Sequence, residues 1–249
     1  MKKIGILFGK LAVFASLAVA GEHAIQWGYT GHGGPERWGE LSDDFKMCML
    51  GRNQSPIDLR TDIAFETKLK PIVFSYYSGV NEIIDNGHTE KVDINPGSFI
   101  MIDGIRFELK QFHFHTPSEN KIDGKSYPLE AHFVHADEQG NLAVVALMFE
   151  LGKRNETLQR MWRKLPERPN EKVACSMTAA DVMALLPKDR SYYRYNGSLT
   201  TPPCSEGVRW LVLKKPVTVS KDQVYKFAKI MGHANVRPVQ PLNARVILK

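Results

Sequence analysis

The chain has 249 residues, 43% hydrophobic and 24% charged, with a formal net charge of +6. That is an ordinary globular composition with ample apolar material for a sizeable core. The basic residues are spread out rather than gathered in a stripe, which argues against a nucleic-acid surface, and no segment beyond the N-terminus is apolar enough to span a membrane.

Met1-Lys2-Lys3 opens the chain, followed by an apolar run to Ala20 interrupted by Gly5, Gly9, Lys10 and Ser16. Ala18-Val19-Ala20 is a small-x-small site, so residues 1–20 read as a secretory signal peptide cut before Gly21. A membrane anchor is the rival reading, but Lys10 divides the run and leaves it short of the ~20 residues a spanning helix needs. Lys2, Lys3 and Lys10 leave with the leader and no acid does, so the net charge falls by three to +3. An exported chain meets an oxidising compartment, where three cysteines favour one disulfide and one free thiol. Three pairings are open. Cys48 and Cys204 both lie in turn-like, motif-rich stretches and are the expected pair, leaving Cys175 as a small buried hydrophobe.

Residues 21–60 are rich in Gly, Pro and Trp and read as an ordered arm, with Trp27 and Trp38 to bury and His23 and His32 in loops. From residue 61 to 150 the pattern is β: strands are predicted at 71–77, 80–86, 91–94, 99–102, 105–115, 129–135 and 142–150. Asn-Gly, Asp-Gly and Pro-Gly breakers separate them at hairpin spacing, so neighbours should be antiparallel. Residues 155–164 and 178–185 read as helices, the second opened by Thr178 with Asp181 three residues on. Strands return at 192–195 and 208–214, an amphipathic helix capped by Ser220 spans 220–232, and an extended tail follows. The expected fold is α+β: residues 21–249 as one domain on a large, twisted, mostly antiparallel central sheet with short peripheral helices.

The stretch from Gln111 to His135 carries four of the eight histidines. Strand side chains two apart share a face, so Gln111, His113 and His115 point one way and Phe112 and Phe114 the other. In the next strand Glu130, His132 and Val134 share a face, with His135 opposite among interior side chains. If the two strands pair, His113, His115 and His132 converge, which is the ligand set of a catalytic zinc site. Gln111 and Glu130, each two residues before a ligand, would take the other ring N–H of His113 and His132. H-x-H alone is a weak signal, and a lone strand histidine is usually a core or surface residue. Zinc on three neutral imidazoles brings the pKa of its water to near ~7, making hydroxide available at neutral pH. Thr200 with Glu119 would orient that hydroxide, although Thr200-Thr201-Pro202-Pro203 by itself reads as a rigid turn.

QFHFH, SEN, LEAHFVH, SLTTPPC, NGH and N-x-R-P-x-Q-P-L-N-x-R, taken together, resemble the α-class carbonic anhydrases from Trp27 to Arg245, and the exported form resembles bacterial periplasmic members. The resemblance implies reversible hydration of carbon dioxide to bicarbonate and a proton, with Zn2+ on His113, His115 and His132. It implies that Asn235 holds His115 through its carbonyl, that Thr200 and Glu119 orient the hydroxide, and that Thr201 lines the substrate site. Val134, Val144, Leu199, Val208 and Trp210 match the apolar wall for carbon dioxide. His88 matches the proton shuttle, with Tyr29 and Asn86 ordering the intervening water. Lys91 stands where other members often carry a neutral polar residue. Sulfonamides and anions are implied as inhibitors, and a homodimer is admitted as a partner state. A catalytically silent binding module on the same fold would have lost ligands, and all three are present here. A zinc peptidase would need an H-E-x-x-H helix, which is absent.

Overall fold

Alternating apolar side chains and frequent turns make strands the main regular structure, as the computed structural model of residues 25–249 shows. The leader expected at residues 1–20, and His23, lie outside the described residues. The N-terminal arm folds into single helical turns, with α1 at Trp38–Leu41 and α2 at Met47–Leu50. Then come β1 (Asp58–Leu59), β2 (Val73–Ser75), β3 (Val80–Asp85), β4 (Glu90–Ile94), β5 (Phe99–Ile102), β6 (Ile105–His115), β7 (Lys121–Ile122), β8 (Leu129–Ala136) and β9 (Leu142–Leu151). The second half holds α3 (Glu156–Met161), β10 (Lys172–Ala174), α4 (Ala179–Met183), β11 (Tyr192–Ser198), β12 (Glu206–Leu213), β13 (Val217–Val219) and α5 (Lys221–Met231).

Eleven strands form one sheet along the path β10-β3-β4-β6-β8-β9-β12-β11, with β5 and β2 extending from β6 and β13 beside β9. Its pairings are antiparallel except that β12 and β13 run parallel to β9. The strands between 73 and 151 pair antiparallel with one another, as expected; β12 and β13 reach β9 only after a long excursion through α3, β10, α4 and β11, so no hairpin sets their direction. The strand expected at 71–77 narrows to β2, which pairs only with β5. The short strands β1, β7, β10 and β13 were not anticipated, because two or three residues carry no readable period. The helices fall where expected but start one residue later, because Asn155, Thr178 and Ser220 serve as N-caps. Thr178 with Asp181 and Ser220 with Gln223 form reciprocal capping boxes, and Gly232 ends α5 in the left-handed region at φ 69°.

The two faces of the sheet bury different cores. Phe112, Phe114, Ala131 and Phe133 face a large cluster closed by Leu158, Met161, Val182 and Phe227 from the helices, and the Phe112 and Phe133 rings stack with centroids 4.9 Å apart. Val144, Ala146, Trp210 and Val212 face a smaller cluster with Ile57, Leu59 and Tyr195. Trp38, Cys48 and Cys204 form a third, against which Trp27 and Tyr29 pack.

Glu90 is one buried group that the apolar pattern does not explain. It is fully buried at the start of β4, opposite Asp85, and neither carboxyl oxygen has a hydrogen-bond partner. Burial, reinforced by the charges of Asp85 and Glu171, pushes its carboxyl up to about 8. The folded protein therefore holds a proton there that the unfolded chain releases near its ordinary value of 4.5. That contribution to stability is complete below the unfolded value and is lost as pH rises through about 8. Glu90→Gln removes the dependence, so the melting temperature of the variant relative to the parent should climb between about pH 5 and 8. Calorimetry across that range checks it, and a pH-independent difference would contradict the buried neutral acid.

Candidate active site and metal centre

The site grows from the register between β6 and β8. His113 lies directly opposite His132, and His115 opposite Glu130, after a register shift between Leu109 and Gln111. Pleating then brings all three imidazoles to one face, where one ligand atom from each lies within 4.8 Å of the others. His115 and His132 are about 1% exposed, so the cluster is sealed from bulk water on that side.

The remaining nitrogen of each ring is engaged. Nδ1–H of His113 donates to Oε1 of Gln111 at 2.8 Å, and Nδ1–H of His115 to the carbonyl of Asn235 at 2.7 Å. Nε2 of His132 lies 2.9 Å from Oε1 of Glu130. That last approach is a close polar contact rather than an aligned hydrogen bond, since no acceptor lies along the N–H direction. These contacts turn Nε2 of His113, Nε2 of His115 and Nδ1 of His132 towards one another. Nε2 of His115 is buried without a partner, an unmet group of the kind a metal ion satisfies. Burial, and for His113 and His132 the neighbouring rings, holds all three below the ordinary imidazole value. They are thus neutral, the form that ligates. The donor set fits a tetrahedral divalent ion.

Glu130 is held in turn by the backbone N–H groups of Glu119 and Asn120 and by the Asn120 side chain. Tyr195 donates to Asn120, so the support runs three side chains deep. Glu119 is fully enclosed: the backbone N–H of Arg237 donates to Oε1, and Oε2 lies 3.5 Å from Nε2 of His115 with no hydrogen-bond partner. Burial pushes its carboxyl up to about 8, opposed by the Thr200 hydroxyl and the Arg237 N–H. Arg237 itself is buried, with its guanidinium on Gln54, Ser55 and Cys48. Its part in fixing Glu119 was missed, although it lies within the N-x-R-P stretch that signals it.

Thr200 and Thr201 follow β11 in a loop bound by Leu199 N–H to the Ser205 carbonyl and Cys204 N–H to the Thr201 carbonyl. The Cys48–Cys204 disulfide pins that loop to α2, and Cys175 is free. Val144, Val208 and Trp210 are buried together on the histidine face, with Val134 and Leu199 packed against them, and the Trp210 ring meets His132 at 4.9 Å. A cavity of about 130 Å³ runs outward past His113, His115 and Thr201 to Lys91, His88 and Trp27.

At its rim the His88 ring stacks on Trp27, 3.6 Å between centroids and 10° from parallel. This stack was not foreseen, because nothing in the sequence links Trp27 to the Asn-Gly-His turn. Burial, then the charge of His233, lowers the His88 pKa, while Asp85 raises it. Tyr29 sits edge-on to His88 at 6.5 Å. The Asn86 side-chain oxygen accepts from the backbone of His88 and Thr89, so it builds the turn as well as facing the cavity. Asn235 reaches the same turn through the His88 carbonyl. Lys91 is paired with Asp93 at 3.0 Å. His135, on the far face, is buried against the Tyr76 hydroxyl at 2.9 Å, as its parity required. Of the residues singled out from the sequence, Tyr29, Asn86, His88, Gln111, His113, His115 and Thr201 line this cavity, and Val134, Val144, Leu199, Val208 and Trp210 pack together beside it.

Known proteins resemble this chain in sequence and in fold. Residues 33–249 match the family model described as eukaryotic-type carbonic anhydrase. The chain is 47% identical over 244 residues to a carbonic anhydrase of Pectobacterium carotovorum, covering 96% of this chain and 99% of the relative. It is likewise 47% identical over 244 residues to one of Klebsiella pneumoniae, covering 97% and 98%. Its fold superposes with a TM-score of 0.89 on an α-carbonic anhydrase of Thermovibrio ammonificans, solved with the inhibitor sulfanilamide, at 51% identity over 91% of this chain and all of that one. On these likenesses and this site, the chain belongs to the eukaryotic-type, α-class carbonic anhydrases, the enzymes that hydrate carbon dioxide.

Proposed function

We propose that His113, His115 and His132 hold a zinc ion and that the cleft above them hydrates carbon dioxide reversibly, with His88 carrying the proton away. The convergence of three neutral rings carries this reading, two of them hydrogen-bonded through the other nitrogen and the third lying against Glu130. Zinc so held supplies a Lewis acid that ionises water near neutral pH. A divalent cation among the rings would also reverse the burial effect on Glu119 and keep it a carboxylate. Ionised Glu119, fixed by the Arg237 N–H, would accept the Thr200 hydroxyl proton and leave the Thr200 oxygen to accept from the attacking oxygen. One lone pair of that oxygen is then aimed at carbon dioxide lying against Val134, Val144, Leu199, Val208 and Trp210. That wall offers no group to bind a charged product, which favours release of bicarbonate past Thr201.

The proton leaves towards His88. A depressed pKa keeps its imidazole neutral and able to accept at pH 7, and its place at the rim lets it discharge to buffer. Tyr29 and Asn86 border the path that water would fill. A sulfonamide anion would compete for the same ion with help from Thr200, as the inhibitor-bound relative suggests. The apolar leader at residues 1–20 and the disulfide support export to the periplasm, with 21–249 as the mature domain.

His115→Ala should lose bound zinc, read by elemental analysis of the purified protein, together with nearly all hydration activity by stopped flow; a zinc-loaded, fully active variant would refute the ligand assignment. His88→Ala should slow turnover in dilute buffer by about ten-fold or more and recover with added imidazole, whereas unchanged kinetics would give the shuttle to another group. Exported protein should show, by non-reducing intact mass, a chain starting at Gly21 with one disulfide; three free thiols or a retained leader would count against the export reading.

A further inference from the structure

A concentration of basic side chains lies away from the histidine cleft. A cavity of about 480 Å³ is lined by Lys68, Lys70, Arg190, Lys214 and Lys249, with Ile72 and Tyr192 beneath them. We propose that this cavity is a binding site for a phosphorylated small molecule with an apolar or aromatic body.

Four separate stretches of chain build it, and backbone bonds hold them together. The Tyr192 hydroxyl donates to the Lys70 carbonyl at 2.7 Å. Lys214 N–H donates to the Ser191 carbonyl at 2.9 Å, and Thr67 N–H to the Lys249 carbonyl at 3.0 Å. The walls are therefore set before any ligand arrives, which reduces the entropy lost on binding.

Protein carboxylates answer only part of this charge, Asp189 near Lys214 and Glu66 near Lys249. Among the described residues only Lys249 of the five cations has a carboxylate in ion-pair reach, Glu66 at 3.7 Å. The nearby Asp189 already accepts the Ser191 N–H at 2.9 Å. Arg190 is the sharper observation: its guanidinium lies over the Phe74 ring, 4.8 Å from the centroid, and its Nε is enclosed with no acceptor. No carboxylate pairs with this guanidinium among the described residues, and Arg190 lines the cavity. An acceptor from outside would meet the remaining N–H groups of the guanidinium rather than the enclosed Nε.

The chemistry selects the ligand. A planar guanidinium fork beside four ammonium groups suits a phosphate dianion better than a single carboxylate. Leu69, Pro71, Ile72 and Tyr192 give an organic body something to lie on. The volume is that of a small-molecule site. Ile72 and Tyr192 belong to the core face opposite His132, and β11 lies three strands from β8, about 14 Å at ordinary strand spacing. The site is thus separate from the hydration cleft and stands whether or not the zinc reading holds.

Amide NMR of the mature protein, titrated with phenyl phosphate in about 0.15 M salt, tests this. Saturable shifts should centre on Lys70, Arg190, Ser191, Tyr192 and Lys214, with a Kd below ~1 mM. Arg190→Gln should weaken binding by about ten-fold or more, while Lys229→Gln, exposed on α5, should leave it unchanged. Lys214→Gln, with the spectrum otherwise intact, serves the same purpose if Arg190→Gln does not fold. Flotation with phosphatidylcholine vesicles containing phosphatidic acid separates the sources: Arg190-dependent flotation makes the natural phosphate a lipid headgroup, and its absence alongside phenyl phosphate binding makes it a free metabolite. Shifts confined to the histidine cleft, non-saturating shifts, or equal losses from Arg190→Gln and Lys229→Gln would overturn the proposal.

Discussion

The register between β6 and β8 is the constraint on which the site depends. Side chains alternate with a period of two, so slipping the pair by one residue would send His132 into the large apolar core and bring Phe133 to the cleft. The stacked Phe112 and Phe133 rings on the far face and Gln111 opposite Val134 on the near face both resist that slip. The convergence of the three imidazoles is thus secured by hydrophobic burial on the opposite side of the sheet. Catalytic geometry and core packing are the two faces of one pairing.

Around that register the molecule invests its buried polar groups. Glu119, Glu130, Asn120, Tyr195, Asn235 and Arg237 come from distant parts of the chain, and almost every hydrogen bond they make ends within two steps of a histidine. Enclosure makes each bond strong and each unmet group expensive. The unmet ones, Oε2 of Glu119 and Nε2 of His115, cluster at the ligand atoms. Glu90 is different in kind, because it lies in the core with no partner and no part in the cleft.

How much of this could be read from the sequence follows from how local each signal is. Parity within β6 and β8 placed His113, His115, His132, Gln111 and Glu130 correctly, and put His135 on the opposite face, because alternation is a property of adjacent residues. Asn235 and Leu199 came only through family likeness, since contacts such as that of Asn235 with His115, 120 residues apart, are encoded by no periodicity. The parallel pairing of β9 with β12 and β13 escaped for the same reason. Trp27 on His88, Arg237 on Glu119 and the cationic cavity are juxtapositions made by the fold, and single residues give no hint of them.

The sulfur bridge between Cys48 and Cys204 closes the loop bearing Thr200 and Thr201 against the segment that carries Trp38 and shelters Trp27. Oxidation therefore does more than staple two distant parts of the chain: it sets the distance between the inner hydroxyl groups and the rim on which the His88 ring lies. A molecule that has closed its backbone but not yet this bridge would own its three imidazoles while the opposite bank of the cleft remained adrift. The finished cleft therefore belongs to an oxidising compartment, where this bridge can close and persist.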